Sequence, residues 1–107
     1  MYTKSQIKAI RANNIRQLAE LGDGDIERAK TLYNRLVRYS KRRYRWGEWA
    51  CNGVPTWMLD EHEREGERLN KLHEKLCKEL EGYELTMTLP GLYPWVDGAR
   101  IIELVWY

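Results

Sequence analysis

Apolar residues recur at helical spacing in the opening part of the chain. Thr3 precedes Gln6 by three residues, a pair whose side chains can each bond the other residue's backbone N–H at a helix start. The inward positions then repeat every three or four residues until Gly22, a residue that tolerates the left-handed backbone of a helix end. This pattern predicts a first helix over about residues 4–21. Its inward positions are Ile7, Ile10, Asn14, Leu18 and Leu21.

A second helical pattern follows Asp23 and Asp25, either of which can cap a helix because a carboxylate accepts bonds from free backbone N–H groups. Gly53 and Pro55 interrupt the pattern, since glycine tolerates unusual backbone angles and proline lacks a backbone donor. The sequence therefore predicts a second helix over about residues 25–49, followed by a connection. The inward stripe of this helix is Ile26, Ala29, Tyr33, Leu36, Val37 and Ser40.

A third helix is predicted over about residues 58–81. Thr56, or Asp60 with Glu63 three residues later, can cap its start, and Gly82 can end it. Its buried stripe is Leu69, Leu72, Leu76 and Leu80. The first half of the helix, DEHEREGER, has almost no apolar content, so we expect it to project into water.

Gly66 is the exception within that polar segment, because it lies on the extension of the leucine stripe. A glycine at an inward position either marks a weak point in an exposed turn or lets a neighbouring segment come close. We favour the close approach. The second and third helices, joined by a short connection, are expected to run antiparallel.

From Tyr83 onward the hydrophobic period changes to two, which is typical of strands. Strands are predicted over about residues 83–89, 92–96 and 99–107. Asp97 and Gly98 form a strong hairpin signal, and a two-residue loop there would pair Val96 with Ala99 and Trp95 with Arg100. Pro90, Gly91 and Pro94 interrupt the preceding arm and predict that it lies at a sheet edge. The predicted fold class is α+β, three helices with a C-terminal β-hairpin packed on them.

Length and composition favour one domain over residues 1–107, because 43% hydrophobic and 32% charged residues are typical of a globular chain. No segment has the long apolar run of a membrane span, and residues 1–18 lack the apolar core of a signal peptide. We therefore expect a cytoplasmic protein with no membrane partner. The apolar residues 105–107 must dock on the helices or on a second copy of the chain, which would make a homodimer through the last strand.

The net charge of +2 hides a strong asymmetry along the chain. Residues 1–50 contain twelve Lys or Arg against five Asp or Glu, which gives +7. Residues 51–107 contain six against eleven, which gives −5 and restores the sum of +2. Such asymmetry favours an anionic partner for the first half, unless the two halves neutralise each other in the fold.

The basic excess is concentrated in the second helix. Arg35, Arg38, Arg42 and Arg45 are three or four residues apart, so they share one helix face. Guanidinium groups bind phosphate in a bidentate manner, and aromatic rings stack on bases, so this stretch is a candidate surface for nucleic acid or for a nucleic-acid-handling protein. The candidate binding residues are Arg35, Arg38, Tyr39, Lys41, Arg42, Arg43, Tyr44, Arg45, Trp46 and Trp49.

Two alternatives compete with this hypothesis. The basic face can be an ordinary solvated surface that the acidic third helix partly neutralises. The acidic helix can instead be the active surface, if it mimics phosphate and binds a protein. The residues of that alternative face are Glu61, Glu63, Glu65, Glu67 and Glu74. A sponge for small nucleotides is a further possibility that Arg and Trp would suit.

Candidate metal or catalytic chemistry is sparse. His73 and Cys77 share a face of the third helix and could form half a zinc site with Cys51, but core packing explains them more simply. The chain has no phosphate loop, nucleophile elbow, dinucleotide fingerprint or zinc-protease pair. A buried Cys on a leucine stripe also lacks the electropositive setting of a reactive thiolate. We therefore expect no enzyme activity, no metal and no cofactor.

The order of the motifs carries a resemblance over the last two-thirds of the chain. An Arg-rich helix runs into WACNG at residues 49–53, and a charged helix then leads to GLYPWVDGAR at residues 91–100 and a closing strand. This order resembles small uncharacterised accessory proteins of bacteriophages and other mobile elements. The resemblance implies a stoichiometric binder acting in a bacterial host, either a nucleic-acid-binding regulator or an inhibitor of CRISPR or another defence system.

Overall fold

Three helices precede a small antiparallel sheet in the computed structural model of the chain, which describes residues 2–88, 95–98 and 100–106. The elements are α1 (Lys4–Leu21), α2 (Ile26–Asn52), a 3₁₀ turn (Thr56–Met58), α3 (Leu59–Glu81), β1 (Thr86–Thr88), β2 (Trp95–Asp97) and β3 (Ile102–Glu103). The sheet packs on the helices, so the predicted α+β class is confirmed.

The starts of the first two helices follow the predicted capping chemistry. The Thr3 hydroxyl accepts a bond from the Gln6 N–H at 3.2 Å, and the Gln6 side chain accepts one from the Thr3 N–H at 2.8 Å. At α2 the capping residue is Asp25, whose carboxylate accepts the backbone N–H of Arg28 at 3.1 Å. These bonds satisfy backbone donors that have no partner within a helix.

The helix bounds lie close to the predicted ones, but the predicted cap of α3 and the predicted backbone conformation at the end of α1 are wrong. Neither Thr56 nor Asp60 caps α3, because a 3₁₀ turn leads into the helix and its N-cap, Met58, makes no side-chain cap bond. Gly22 does not adopt a left-handed backbone, since its φ is −97°. A Cβ atom at Gly22 would lie 2.4 Å from the Tyr83 ring, so close packing is what requires a glycine there.

The hairpin register differs from the predicted one by three residues. Val96 pairs with Ile102 and Trp95 with Glu103, in place of Ala99 and Arg100. The predicted register would have turned Ile101 inward and Ile102 outward. In the structure Ile102 is buried and Ile101 is 67% exposed, so burial of the larger apolar set (Val96, Ile102, Leu104) overrides the turn signal.

The predicted edge position is also wrong for residues 95 and 96 of that arm. β2 lies between β1 and β3, and it pairs with β1 through Met87 opposite Val96. The prolines and glycine on which that prediction rested, at positions 90, 91 and 94, lie outside the described residues. The sheet therefore continues through β2, and its described edges are β1 and β3.

In the core, one tyrosine hydroxyl forms hydrogen bonds that link α1, α2 and the C-terminal segment of the chain. The buried Tyr33 hydroxyl donates to the Glu103 carbonyl at 2.7 Å and accepts from the Asn14 side chain at 3.3 Å and the Val105 N–H at 3.2 Å. Leu104 and Val105 are fully buried. The segment after β3 thus docks on the helices of its own chain.

Among the described residues, no helix combines the length and the apolar character that crossing a membrane would require.

Candidate functional site

Side chains from successive turns join α2 to α3. Arg35 pairs with Glu79, Arg42 with Glu65, and Trp46 with His62. As the residue number on α2 increases, the residue number of its partner on α3 decreases. The two helices therefore run antiparallel, as predicted.

One flank of this helix pair is a shallow depression that we call the arginine groove. Its border on α2 is a row of five arginines: Arg28, Arg35, Arg38, Arg42 and Arg45. Their spacing of seven, three, four and three residues keeps them on one face of the helix. At about 1.5 Å of rise per residue, the row is about 26 Å long. The sequence pattern predicted the last four of these arginines and missed Arg28.

Three cavities follow one another along the groove. The first, of about 290 Å³, is lined by Arg28, Thr31, Leu32, Arg35, Glu79 and Tyr83. The second, of about 160 Å³, is lined by Arg35, Arg38, Tyr39, Arg42, Leu72 and Leu76. The third, of about 280 Å³, is lined by Arg42, Arg45, Trp46, Trp49 and Glu65. Arg35 and Arg42 each line two neighbouring cavities, so the three cavities adjoin one another along α2, and the middle one has an apolar floor.

Two of the groove arginines are neutralised by α3. One nitrogen of Arg35 donates to both carboxylate oxygens of Glu79, at 2.8 and 2.7 Å. Arg42 donates to Glu65, which also lies 3.9 Å from Arg68. The expected neutralisation between the basic and acidic helices therefore takes place, but only at part of the arginine row.

The other cations of this region keep their charge available. Arg38 and Arg45 are exposed and Lys41 is half-buried, and none of them forms an ion pair with any described residue. Arg43 lies on a different side, where it donates to the Asn70 amide oxygen at 3.0 Å and stands 5.4 Å from the centre of the Trp46 ring. Since Arg28 pairs with Asp23 at 3.2 Å, Arg38 and Arg45 are the groove arginines without a carboxylate partner among the described residues.

An aromatic cluster closes one end of the groove. The rings of Trp46 and His62 stack with centroids 4.5 Å apart, and Trp49 meets His62 edge-on at 4.9 Å. The Trp46 indole N–H donates to the His62 carbonyl at 2.8 Å. A Cβ atom on Gly66 would lie 2.9 Å from the Trp46 ring, so the close approach predicted for Gly66 is confirmed. Trp46 is therefore held between the helices, while Trp49 lines the end cavity.

Of the two candidate tyrosines, one is buried and the other is half-buried. Tyr39 is buried, and its hydroxyl has no hydrogen-bond partner among the described residues. Burial raises the pKa of Tyr39, and the nearby Arg43 guanidinium partly opposes that rise. Tyr44 packs against Trp106, with ring centroids 5.3 Å apart. The structure thus places Tyr39 at the floor of the groove and Tyr44 beside the segment that follows β3.

The candidate acidic residues separate into two groups. Glu65 faces the groove, as does Glu79, which the sequence analysis did not single out. At about 100° per residue, Glu63, Glu67 and Glu74 lie on the opposite flank of α3. These three and Glu61 are exposed, and they form no ion pair within the described part of the chain.

The thiol and imidazole groups of α3 make a poor reactive site. The Cys77 sulfur lies 3.6 Å from a ring nitrogen of His73. Burial, with the nearby Glu81 carboxylate, raises the pKa of the Cys77 thiol and so disfavours the nucleophilic thiolate. Cys51 is exposed and unpaired. Within the described residues, no group of three or more metal-binding side chains could hold a metal ion.

The structure also presents an apolar residue that the sequence analysis did not select. Trp57, in the 3₁₀ turn, is 82% exposed, and Leu59 beside it is also exposed. The available signal was a tryptophan two residues after Pro55 in a connection, where no core stripe could bury it.

No family model matches this chain, and no curated protein or solved structure matches it either.

Proposed function

We propose that this protein is a non-enzymatic binding protein that occludes nucleic acid with its arginine groove. The observation that carries the proposal is the row of five arginines, of which Arg38 and Arg45 are exposed and without a carboxylate partner in the described structure. Free guanidinium groups on an open surface gain little from the protein itself, whereas a phosphate backbone supplies bidentate partners along the whole row.

The shape of the groove favours an extended ligand. Its length of about 26 Å exceeds the reach of a single nucleotide, and its cavities fall below the usual volume of pockets that enclose small molecules. Trp49, which lines the cavity at the end of the groove, adds a ring on which a base can stack. These features support a strand over a small-nucleotide sponge.

The proposal is tested by fluorescence-anisotropy titration of single- and double-stranded DNA and RNA at two salt concentrations. We expect salt-sensitive binding, because each neutralised phosphate releases counterions. The key variant is Arg38→Glu with Arg45→Glu, since neither residue holds α2 to α3 and the fold should survive.

The matched control is Lys4→Glu with Lys8→Glu, which changes the net charge equally on exposed positions of α1 that form no ion pair with described residues. Loss of binding in the groove variant alone supports the proposal. Equal losses in both variants would contradict the proposal, because they would mean that net charge, and not the groove, attracts the ligand. Wild-type binding whose affinity does not change with salt would also contradict the proposal.

The biological setting that we propose is the cytoplasm of a bacterial host, with a phage or another mobile element as the source. Supporting it are the resemblance of the motif order to phage accessory proteins and the absence of a membrane-spanning helix from the described residues. In that setting the groove would block nucleic acid directly or within a host nucleic-acid-handling complex. A homodimer would have Ile101 as its apolar contact, since Ile102 and Leu104 are buried within the chain.

The far flank of α3 supports a second candidate function, an anti-CRISPR-like inhibitor that binds only protein. The supporting observation is that Glu63, Glu67 and Glu74 are exposed, lie on one flank and form no ion pair among the described residues. Charge reversal by Glu63→Lys and Glu67→Lys should then abolish capture of a defence complex, and the Arg38 and Arg45 variant should retain it.

A further inference from the structure

Arg28, at the start of the groove, pairs with Asp23, and from Arg35 onward occupied and free arginines alternate along the row. Arg35 holds the Glu79 carboxylate and Arg42 holds the Glu65 carboxylate. Arg38, between them, and Arg45, beyond them, have no carboxylate partner in the described structure. The occupied arginines are also the two that neighbouring cavities share, so both carboxylates sit at the junctions of the groove.

These carboxylates bind the arginines as a phosphate would. Carboxylate and phosphate oxygens use the same charge-assisted bonds to a guanidinium group. The four side chains are 29–39% exposed, so water and ligands can reach the ion pairs. An ion pair with that exposure is weakly held, because solvent screens its charges. A stronger anion can therefore displace the carboxylates without unfolding the helix pair.

We propose that Glu65 and Glu79 are internal competitors, which in the free protein occupy the positions where two phosphate groups of a bound single strand contact Arg42 and Arg35. This inference rests on the proposed function and narrows its ligand to single-stranded nucleic acid. Trp49 in the end cavity supplies a stacking surface that only unpaired bases can use.

Competition of this kind also sets the size of the ligand. Arg35 and Arg42 are seven residues apart, which is about 10 Å along the helix axis. One phosphate cannot replace both carboxylates, whereas a strand can contact the free Arg38 and then displace them in turn. The groove thus discriminates against mononucleotides and inorganic phosphate.

The test measures the affinity for fluorescein-labelled oligothymidylate by anisotropy at about 0.15 M salt, where charges further than about 8 Å away are largely screened. Glu65→Gln and Glu79→Gln keep the side-chain length but weaken the hold on arginine. Each is expected to raise the affinity about two- to fivefold. Controls are Glu63→Gln and Glu67→Gln, which remove the same charge from the far flank of α3.

A further variant distinguishes two explanations of a rise in affinity: loss of a competing carboxylate, or loss of a nearby negative charge. Glu79→Asp keeps the charge but withdraws the carboxylate by one methylene from Arg35. Competition predicts a rise in affinity here too, whereas a pure field effect predicts none. Thermal unfolding of each variant confirms that the helix pair remains folded.

The outcomes distinguish this inference from the proposed function. Internal competition is supported if the affinity for oligothymidylate rises in Glu65→Gln, Glu79→Gln and Glu79→Asp by more than it does in the controls. The same holds if these variants bind and the wild type does not. Suppose that the wild type binds through Arg38 and Arg45, but that the affinities of the Gln variants match those of their controls or the affinity of Glu79→Asp does not increase. The competitor role is then overturned and the proposed function stands. If neither wild type nor any variant binds, both are overturned.

Discussion

Gly66 marks a close contact between α2 and α3. Its missing side chain makes room for the Trp46 ring, which also stacks on His62 and donates to its carbonyl. We expect this contact to limit how far α3 can slide along α2, and so to influence which glutamates reach Arg35 and Arg42.

Substitution of Gly66 by Ala is predicted to destabilise the protein. The new methyl group would lie 2.9 Å from the ring of Trp46. Overpacking costs about 1–3 kcal/mol, and the gain in helix propensity returns about 1 kcal/mol. We therefore expect a net loss of up to about 2 kcal/mol in the free energy of unfolding, measured by urea denaturation.

Gly47→Ala is the matched control for this substitution. Gly47 is also within a helix, but a Cβ atom there would meet nothing within 4 Å. This variant should gain up to about 1 kcal/mol of stability from helix propensity. A stabilised Gly66→Ala protein would show that Trp46 moves aside without cost and does not set the register.

At the scale of elements, the Tyr33 hydroxyl connects α1, α2 and the segment after β3. It bonds the Asn14 side chain and the backbone of Glu103 and Val105, and all of these groups are wholly or partly buried. A backbone N–H that loses its partner in a buried place costs the full desolvation penalty. The hydroxyl thereby anchors the last strand to the helices.

Tyr33→Phe and Tyr39→Phe are predicted to have different effects. Removal of the Tyr33 hydroxyl should cost about 1–3 kcal/mol of unfolding free energy, because it leaves the Val105 N–H unsatisfied, whereas Asn14 keeps its bond to the Glu103 carbonyl. The Tyr39 hydroxyl is buried without a partner among the described residues, so its removal should be neutral or stabilising. Denaturant unfolding of both variants checks this, and equal losses would refute the described bonding.

The sequence predicted the elements better than their pairing. Helical periodicity and the caps at Thr3 and Asp25 placed α1 and α2, because these signals are local. The register of β2 and β3 could not be read from the Asp97–Gly98 turn signal. Burial of Ile102 against the helices is a tertiary effect, and it outweighs the local preference of the turn.

The candidate site was predictable to a similar extent. Spacing alone placed four arginines on one helix face, and the structure gathers those four along the groove. Spacing could not show that Glu65 and Glu79 reach across, because that depends on the register between helices. It also could not show that Tyr39 turns inward, since the stripe facing α3 is adjacent to the arginine face.

At the scale of the whole molecule, the charge asymmetry of the sequence becomes an asymmetry across the helix pair. The basic first half and the acidic second half meet at α2 and α3, where two ion pairs neutralise part of each. Free arginines remain on the groove side, and unpaired glutamates lie on the far flank of α3. The net charge of +2 is therefore a poor guide to binding, and the local field of the groove is the relevant quantity.

The measurement that most directly tests the groove as a single-strand binding surface is the slope of log affinity against log salt for oligothymidylate. Each phosphate contact contributes about −0.7 to that slope for a single strand, so Arg38→Gln with Arg45→Gln should make it shallower by about 1.4. Lys4→Gln with Lys8→Gln should leave the slope unchanged. An unchanged slope in the groove variant, or an equal change in the control, would contradict binding through the arginine groove.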